Sequence, residues 1–389
     1  MIGPSSQRLA DATTSACRAR IERLREEMDR QGVDTLLVSN EKDILYLSGF
    51  VGHDSLLLVF GDGAAIVTDA RYDEFLNPWR ESGLVEVLIG VRHRLHQTVR
   101  DITRTRRTKR IGFQGESLTV AGLSSLAATI GRHCLVDTRG LVTGLRRRKD
   151  ELEIATIERA IAIQQEALGA ALEQLVLGMT ERDLCAIVEH EMKSRGAFGA
   201  SFDTMVAASG NTSVIHYMTG STPIGEGLLL IDWGASVDGY CSDLTRTFSV
   251  GPMAPKMQSV YDVVLDAQRA AIDACAAGRS CAEIDGVARG IIAGAGYGEY
   301  FSHGLGHGLG LDVHEDPYFN ELSTSVILEP GMIMTVEPGI YLPGSGGVRI
   351  EDDVLITDDG CRVLSDYPKG LEAAVLETRA ETPMAKGVH

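Results

Sequence analysis

The 389-residue chain has no apolar run approaching the ~20 residues that cross a bilayer, which argues against a membrane partner; its longest are pieces such as Leu56–Phe60 and Leu228–Ile231. The N-terminal stretch MIGPSSQRLADATTS lacks the apolar core of a secretory signal. There is no C-x-x-C, and the seven cysteines (17, 134, 185, 241, 275, 281 and 361) are odd in number and scattered. Neither a disulfide framework nor a zinc ribbon is expected from them; reduced thiols and a cytoplasmic location are. No G-x-S-x-G nucleophile elbow and no Walker phosphate loop occurs, which removes two common catalytic classes. Positive charge is also short, with 37 Lys+Arg against 54 Asp+Glu and a net charge of −17. The deficit is one-sided. Residues 1–150 carry 23 basic against 19 acidic side chains, and residues 151–389 carry 14 against 35. An acidic second half disfavours nucleic acid as a partner and suits a cation site.

What is present is ordinary globular composition, 44% apolar and 23% charged, at a length that suggests two domains. Residues 1–145 alternate helical and strand-like patterns and read as an α/β domain. Helices are expected at Ala16–Gln31, Tyr72–Glu81, Leu95–Thr105 and Thr119–Ile130, and strands at Val33–Ser39, Ser55–Phe60, Ala64–Asp69, Val85–Ile89 and Arg110–Gln114. The basic runs Arg104–Arg110 and Arg146–Lys149 read as a solvated face and a linker, with the boundary near Leu141–Lys149. Residues 150–389 form the second domain. A long helical pattern starts at Asp150 and stops at Gly178. Thr180-x-x-Asp183 then resembles a capping box opening a helix to about Arg195, followed by strands near Ser201–Ala207, Leu228–Ala235 and Cys241–Val250. The order repeats: a helix over Gln258–Ala276, Gly278, a capping box Ser280-x-x-Glu283, and strands near 311–314, 332–338 and 347–356. Two junctions 100 residues apart predict an α+β domain with a pseudo-twofold internal duplication and a site between its halves.

Three clusters carry chemistry. In LLIDWGASVDGYCSDLTRTF, two strands flank Asp238-Gly239, a dipeptide that favours a type I′ hairpin. A two-residue loop pairs Asp232 with Thr245 and Gly234 with Asp243, so Asp232 and Asp243 share one face as diagonal neighbours, with Gly234 expected to leave open space between them. Charges at the centre of an apolar strand need compensation, and two on one face raise the odds of a metal. In HGLGHGLGLDVHE, His303, His307 and His314 lie among glycines 304, 306, 308 and 310. Each glycine costs about 1 kcal/mol in a helix, so the segment is extended or looped, with its backbone close to something. In MIMTVEPGI and VRIEDDVLI, Glu337 ends a strand while Arg349 and Glu351 alternate onto one face of another. Four carboxylates (Asp232, Asp243, Glu337, Glu351) and one imidazole (His307) in one pocket would repel unless two divalent cations neutralise them. Oxygen-rich ligation with one nitrogen suits Mn²⁺ or Co²⁺, with Zn²⁺ possible. Two such ions can share a hydroxide and lower its pKa, which implies hydrolysis.

With IDWGA, SDLTRTF, HGLGHGLGLDVHE, LEPGMIMTVEPGIY and VRIEDDVLIT in this order, the chain resembles the pita-bread metallopeptidases, in the two-domain branch of Xaa-Pro aminopeptidases and Xaa-Pro dipeptidases (prolidases). The resemblance implies a creatinase/prolidase-type N-terminal domain and a pita-bread catalytic domain. It implies that Asp232 holds one metal, that Asp243 and Glu351 bridge both, and that His307 and Glu337 complete the set. Glu337 would take the proton of the attacking hydroxide and pass it to the leaving nitrogen. His216, in SGNTSVIHYMTG, would bind substrate and stabilise the tetrahedral intermediate. His303 and His314 would contact the proline side and the scissile carbonyl, and Arg349 would support a ligand or the substrate's carboxyl end. The implied substrates are short peptides with proline second, and a homodimer is implied as well. Creatinase relatives share the two-domain build but lose the metal ligands, all of which stand here. Two alternatives stay open: the same dinuclear scaffold acting on a non-peptide substrate, as a lyase or amidinohydrolase-like relative, and a non-catalytic partner-binding member.

Overall fold

Short apolar runs alternating with amphipathic helices build the first of two units, Met1–Arg146, around one mixed sheet. The structure is a computed structural model and describes residues 4–377. Helix α1 (Pro4–Arg30) precedes strand β1 (Thr35–Val38), helix α2 (Glu41–Ser48), strands β2 (Leu56–Phe60) and β3 (Gly63–Asp69), helix α3 (Asn77–Ser82) and strand β4 (Glu86–Gly90). Helix α4 (Leu95–Thr105), strand β5 (Ile111–Phe113), helix α5 (Val120–Ile130), strand β6 (Leu135–Asp137) and helix α6 (Leu141–Arg146) complete it. The strand order is β4-β3-β2-β1-β5-β6. Leu37, Leu58, Val67, Val99, Ile111 and Leu126 are buried in one apolar cluster of this unit. The helix expected over Tyr72–Glu81 is reduced to α3. Pro78 has no N–H to give, so it is tolerated only in a first helical turn and sets the start there.

Arg146, expected in a solvated linker, is instead 3% exposed at the end of α6. Its Nη1 donates to Asp43 Oδ1 at 2.7 Å, and Gln114 Nε2 donates to the other oxygen of Asp43. Burial pushes the Asp43 carboxyl up, opposed by the attraction of Arg146. Removing one member of a buried pair strands the other, so Arg146→Ala is expected to destabilise this unit by about 3–5 kcal/mol. Denaturant unfolding checks this, and a loss below about 1 kcal/mol would contradict the burial argument.

The second unit, Arg147–His389, is built twice over. Its first half holds helices α7 (Glu151–Glu173) and α8 (Glu181–Ser194) and strands β7 (Gly199–Ala200), β8 (Met205–Ala208), β9 (Gly227–Trp233), β10 (Ala235–Val237), β11 (Tyr240–Cys241) and β12 (Leu244–Val250). The second half holds helices α9 (Pro255–Ala274) and α10 (Cys281–Gly294) and strands β13 (Gly306–Gly308), β14 (Glu315–Phe319), β15 (Ile333–Val336), β16 (Gly339–Leu342), β17 (Gly346–Arg349), β18 (Asp352–Ile356) and β19 (Cys361–Val363). Helix α11 (Leu371–Ala374) and strand β20 (Val375–Leu376) follow. Four sheets result: β20-β12-β9-β8, β14-β13-β15-β18-β19, β11-β10-β7 and the pair β16-β17.

Capping boxes at Thr180 and Ser280 open α8 and α10, each side chain accepting from the backbone N–H three residues on. Each cap residue also forms an isolated bridge, Thr180 with Pro223 and Ser280 with Ile327. The preceding glycines repeat the match: Gly178 N–H donates to Ile224 O and Gly278 N–H to Leu328 O, both at 2.9 Å. This pairing is why α7 ends at Glu173 rather than running to Gly178: the chain after it is drawn to Ile224. Long helix, capped helix and antiparallel strands, occurring twice, make the pseudo-twofold of a pita-bread fold. Lys149 belongs to this unit and is no solvated linker either: it is 6% exposed, and its Nζ lies 3.2 Å from Glu315 Oε2.

Candidate metal centre

Equivalent hairpins in the two halves position the carboxylates. In the first, Asp238 and Gly239 turn with φ of 50° and 87°, both left-handed as a type I′ turn requires. That turn registers Asp232 against Thr245 and leaves Asp243 immediately before β12. Gly234 does not leave open space. A Cβ there would stand 2.0 Å from the Ser242 carbonyl and 2.1 Å from Ser201 Oγ, so the glycine admits neighbouring protein. In the second half, β15 pairs with β18, with Val336 opposite Asp352. Glu337 follows β15 and Glu351 precedes β18, as Asp243 precedes β12. The single strand expected over 347–356 is broken between Arg349 and Asp352, and the Glu351 N–H donates across to Thr245 O at 3.1 Å. The fully buried Arg246 holds that break, bonding Thr245 O at 3.0 Å, the Glu351 carbonyl, and Asp352 Oδ1 at 2.8 Å.

His307 stands in the middle of β13, and the glycines beside it show what the backbone approaches. A Cβ on Gly306 would lie 2.1 Å from Thr335 O in β15. On Gly304 it would meet Phe319 O at 2.6 Å, and on Gly308 Asp316 O at 2.7 Å. The close neighbours are strands β14 and β15. Gly306→Ala must push β13 off β15 and carry His307 with it. A fall in kcat/KM of roughly 100-fold is expected, since displacements near 1 Å cost that much, with far-UV circular dichroism unchanged. Wild-type turnover would contradict the packing argument. No strand forms over 311–314; that stretch bends, because Gly310 N–H donates to Asp312 O at 3.1 Å and Asp312 N–H to Glu315 Oε1 at 3.0 Å. The bend returns His314 onto His307, their rings 4.2 Å apart edge to face.

His307 is held from two sides. Its backbone N–H donates to Thr335 Oγ1 at 3.0 Å, and its ring Nδ1 donates to Gly308 O at 3.1 Å. Nε2 is thereby turned to the carboxylates, 3.3 Å from Glu337 Oε1 and 3.7 Å from Asp243 Oδ2. Asp243, His307 and Glu351 each offer one atom within 4.8 Å of the others. Asp232 is turned to Arg349, whose Nη2 bonds its Oδ2 at 2.5 Å. Its Oδ1 is buried with no hydrogen-bond partner. Burial, then repulsion from Glu351 and Asp232, pushes Asp243 well above the carboxylate range. Burial, then Glu337 and Asp232, does the same to Glu351. Burial also acts to raise Glu337, but the hydrogen bond and charge of His307 outweigh it and hold this carboxyl down to about 2. Crowded buried carboxylates and an orphaned carboxylate oxygen are what a cation-binding set presents without its cations. The residues fit divalent ions.

The same residues line a cavity of about 560 Å³ in this unit, together with His216, His303, His314, Phe202, Tyr318 and Arg349. His216 is exposed, on the stretch between the 3-10 turn Ser209–Ser213 and β9. His303 is bound at both ring nitrogens, donating from Nδ1 to Gly304 O at 2.7 Å and taking the Tyr341 hydroxyl at Nε2 at 3.0 Å. Burial depresses its pKa and that of His314. Arg349 is 3% exposed and bound to protein at all three of its nitrogens: beyond Asp232 it donates to Thr245 Oγ1 and Tyr341 Oη, each at 3.0 Å. Thr245 in turn donates to Glu351 Oε2 at 2.6 Å. Thr245 and Tyr341 are the residues that sequence reasoning missed. Both sit inside motifs it quoted, and the register Asp232↔Thr245 was the available signal.

Two halves that each contribute carboxylates to one cation-binding cavity define a metallopeptidase of the pita-bread class. Residues 155–358 match the model of metallopeptidase family M24, and residues 20–148 that of the creatinase/prolidase N-terminal domain. The chain belongs to metallopeptidase family M24 and is an enzyme of the two-domain, prolidase-like build. It is 35% identical over 359 residues to a protein named Xaa-Pro dipeptidase from Pyrococcus horikoshii, covering 90% of this chain and 98% of that one. Among solved structures, an Xaa-Pro dipeptidase from Bacillus anthracis superposes with a TM-score of 0.87 at 35% identity, covering 92% of this chain and 100% of that one. An X-Pro aminopeptidase from Thermotoga maritima MSB8 superposes with a TM-score of 0.83 at 31% identity, covering 90% and 99%. Among the described residues no helix is long and apolar enough to cross a membrane.

Proposed function

We propose that this enzyme hydrolyses the bond between an N-terminal residue and proline in short peptides, using two divalent cations held by Asp232, Asp243, His307, Glu337 and Glu351. The observation that carries the reading is the convergence of Asp243, His307, Glu337 and Glu351 beside the unpartnered Asp232 oxygen, in a cavity with three further histidines. When bound, the cations, Mn²⁺ foremost, supply Lewis acidity that makes water a nucleophile at neutral pH.

The chain's own residues do the rest. Glu337 accepts a proton at its carboxylate and returns it to the leaving nitrogen. Arg349 fixes Asp232, and Thr245 fixes Glu351. His216, at the cavity wall, binds the substrate and stabilises the tetrahedral intermediate, and His314 serves the scissile carbonyl. His303 has both nitrogens engaged and offers ring face and carbon edges, which suit the apolar proline ring. Proline has no amide N–H and a fixed φ, so a pocket shaped for it reads a substrate that general peptidases handle poorly.

Product analysis of Gly-Pro against a longer X-Pro-Y peptide and a non-peptide amide tests this, with metals quantified in the same sample. Release of the first residue from either peptide is expected, and which peptide is preferred gives the substrate length. No cleavage of either by metal-loaded protein would overturn the reading.

A further inference from the structure

Helix α8 begins with a buried carboxylate that no step above uses. Glu181 is 0% exposed. Its Oε1 accepts from the Ala208 N–H at 2.8 Å and from Asn211 Nδ2 at 2.9 Å. Its Oε2 accepts from the Tyr217 hydroxyl at 2.8 Å and from the Gly220 N–H at 3.1 Å. Asn211 Nδ2 also donates to Tyr217 Oη at 2.9 Å and to Thr222 Oγ1 at 3.0 Å, which closes the network on itself. The backbone N–H groups of Glu181 and Arg182 donate to Thr222 O and Gly220 O, each at 3.0 Å. Every one of these partners of the two α8 residues lies on residues 208–222, the segment that carries His216. That segment has no strand of its own between β8 and β9, so one side chain gathers what a ladder would otherwise hold.

The second half repeats the device one helical turn further along α10. Asp285, also 0% exposed, accepts the Leu305 N–H at 3.0 Å and is forked by Arg289 at 2.8 and 2.9 Å. Arg289 then donates to the carbonyls of Phe301 at 3.0 Å and His303 at 2.9 Å. The capped second helix of each half is therefore tied to the segment bearing one of the cavity histidines.

We propose that Glu181 is a positioning residue for His216: a carboxylate rooted in α8 that clamps residues 208–222 so that His216 stands in the cavity wall, as Asp285 with Arg289 does for His303. The proposal rests on the role given to His216 above. Chemistry explains why a carboxylate is needed. Four donors converge on two oxygens, and an acceptor-only group satisfies them all. Glutamine would set an NH₂ group against one donor pair. Against Ala208 and Asn211, the backbone N–H cannot accept, and Asn211 can accept only by a flip that withdraws its NH₂ from Tyr217 and Thr222. Against Tyr217 the hydroxyl can rotate, but the Gly220 N–H is left facing a donor.

Glu181→Gln tests it on the full-length, metal-loaded enzyme, in a cycle with His216→Ala and the double variant, with slow turnover followed over hours by mass spectrometry. E181Q is expected to lower kcat/KM for an X-Pro peptide by roughly 10–100-fold at unchanged metal content. In the H216A background the same substitution is expected to change kcat/KM by less than about twofold, because there is no ring left to misplace. An equal loss in both backgrounds would overturn the proposal, since a purely structural role penalises both alike. If H216A alone turns over like wild type, the reading of His216 fails first and the proposal falls with it. Should E181Q not fold, Asn211→Ala removes one donor of the clamp. It carries the same cycle, with a severalfold loss expected only while His216 is present.

Discussion

Stripping divalent cations with a chelator is expected to lower the peptidase activity by a factor on the order of 10³ or more, and Mn²⁺ or Co²⁺ to restore it. The size follows from what the protein offers without them. Among the cavity carboxylates, Asp243 and Glu351 are driven toward their neutral forms by burial and mutual repulsion, and no side chain nearby can activate water as a divalent ion does. The same experiment has a thermodynamic readout. A ligand that binds only the folded chain adds about 2.7 kcal/mol at a hundredfold excess over Kd, so the chelated protein is expected to melt at a lower temperature than the Mn²⁺-loaded one. Full turnover with metal below a few per cent of the chain concentration would end the metal reading. Equal melting temperatures would show that the carboxylates are neutralised in some other way.

Glu351→Gln is expected to have opposite effects on catalysis and on the metal-free fold. Turnover falls by about 10³-fold or more, because the proposed function gives Glu351 a share in holding the cations. Metal-free protein becomes more stable than metal-free wild type, by about 1–3 kcal/mol. The substitution removes a carboxyl that the metal-free pocket must hold protonated at neutral pH against burial and the charges of Glu337 and Asp232, while the amide oxygen can still accept from Thr245. Melting curves with and without Mn²⁺ check both halves of this statement: wild type should gain from metal and the variant little. A variant that is less stable in both conditions would show that Glu351 serves the packing of β18 more than a cation.

The elements that could be read directly are those whose signal is local. Thr180 and Ser280 announce their helices because the capping side chain and its acidic partner three residues on bond each other, and Asp238-Gly239 announces its hairpin because both positions need left-handed φ. Helix α2 was legible only through Asn40, which caps Lys42 and Asp43, and went unread. Arg146 and Lys149 read as a solvated run because a basic stretch looks solvated until the partner is known, and Asp43 and Glu315 lie 103 and 166 residues away in sequence. In the site, motif order named candidate ligands, but what fixes them is tertiary. Thr245 on Glu351, Tyr341 on His303 and Glu181 on the His216 segment are contacts between residues with no periodic relation to one another. Gly234 and Gly306 were seen as conspicuous, yet only the fold shows that they face neighbouring backbone.

Asp243 and Glu351 occupy matching places, each just ahead of the last core strand of its repeat. A single copy of the unit carries one such carboxylate and would need a second copy beside it to bring two together. Fusion of the copies frees each from having to match itself across a symmetry axis. That liberty is visible in the present chain: one repeat offers a second aspartate from its strand, while the other has acquired an imidazole and a glutamate, and the two ends of a substrate no longer meet identical walls.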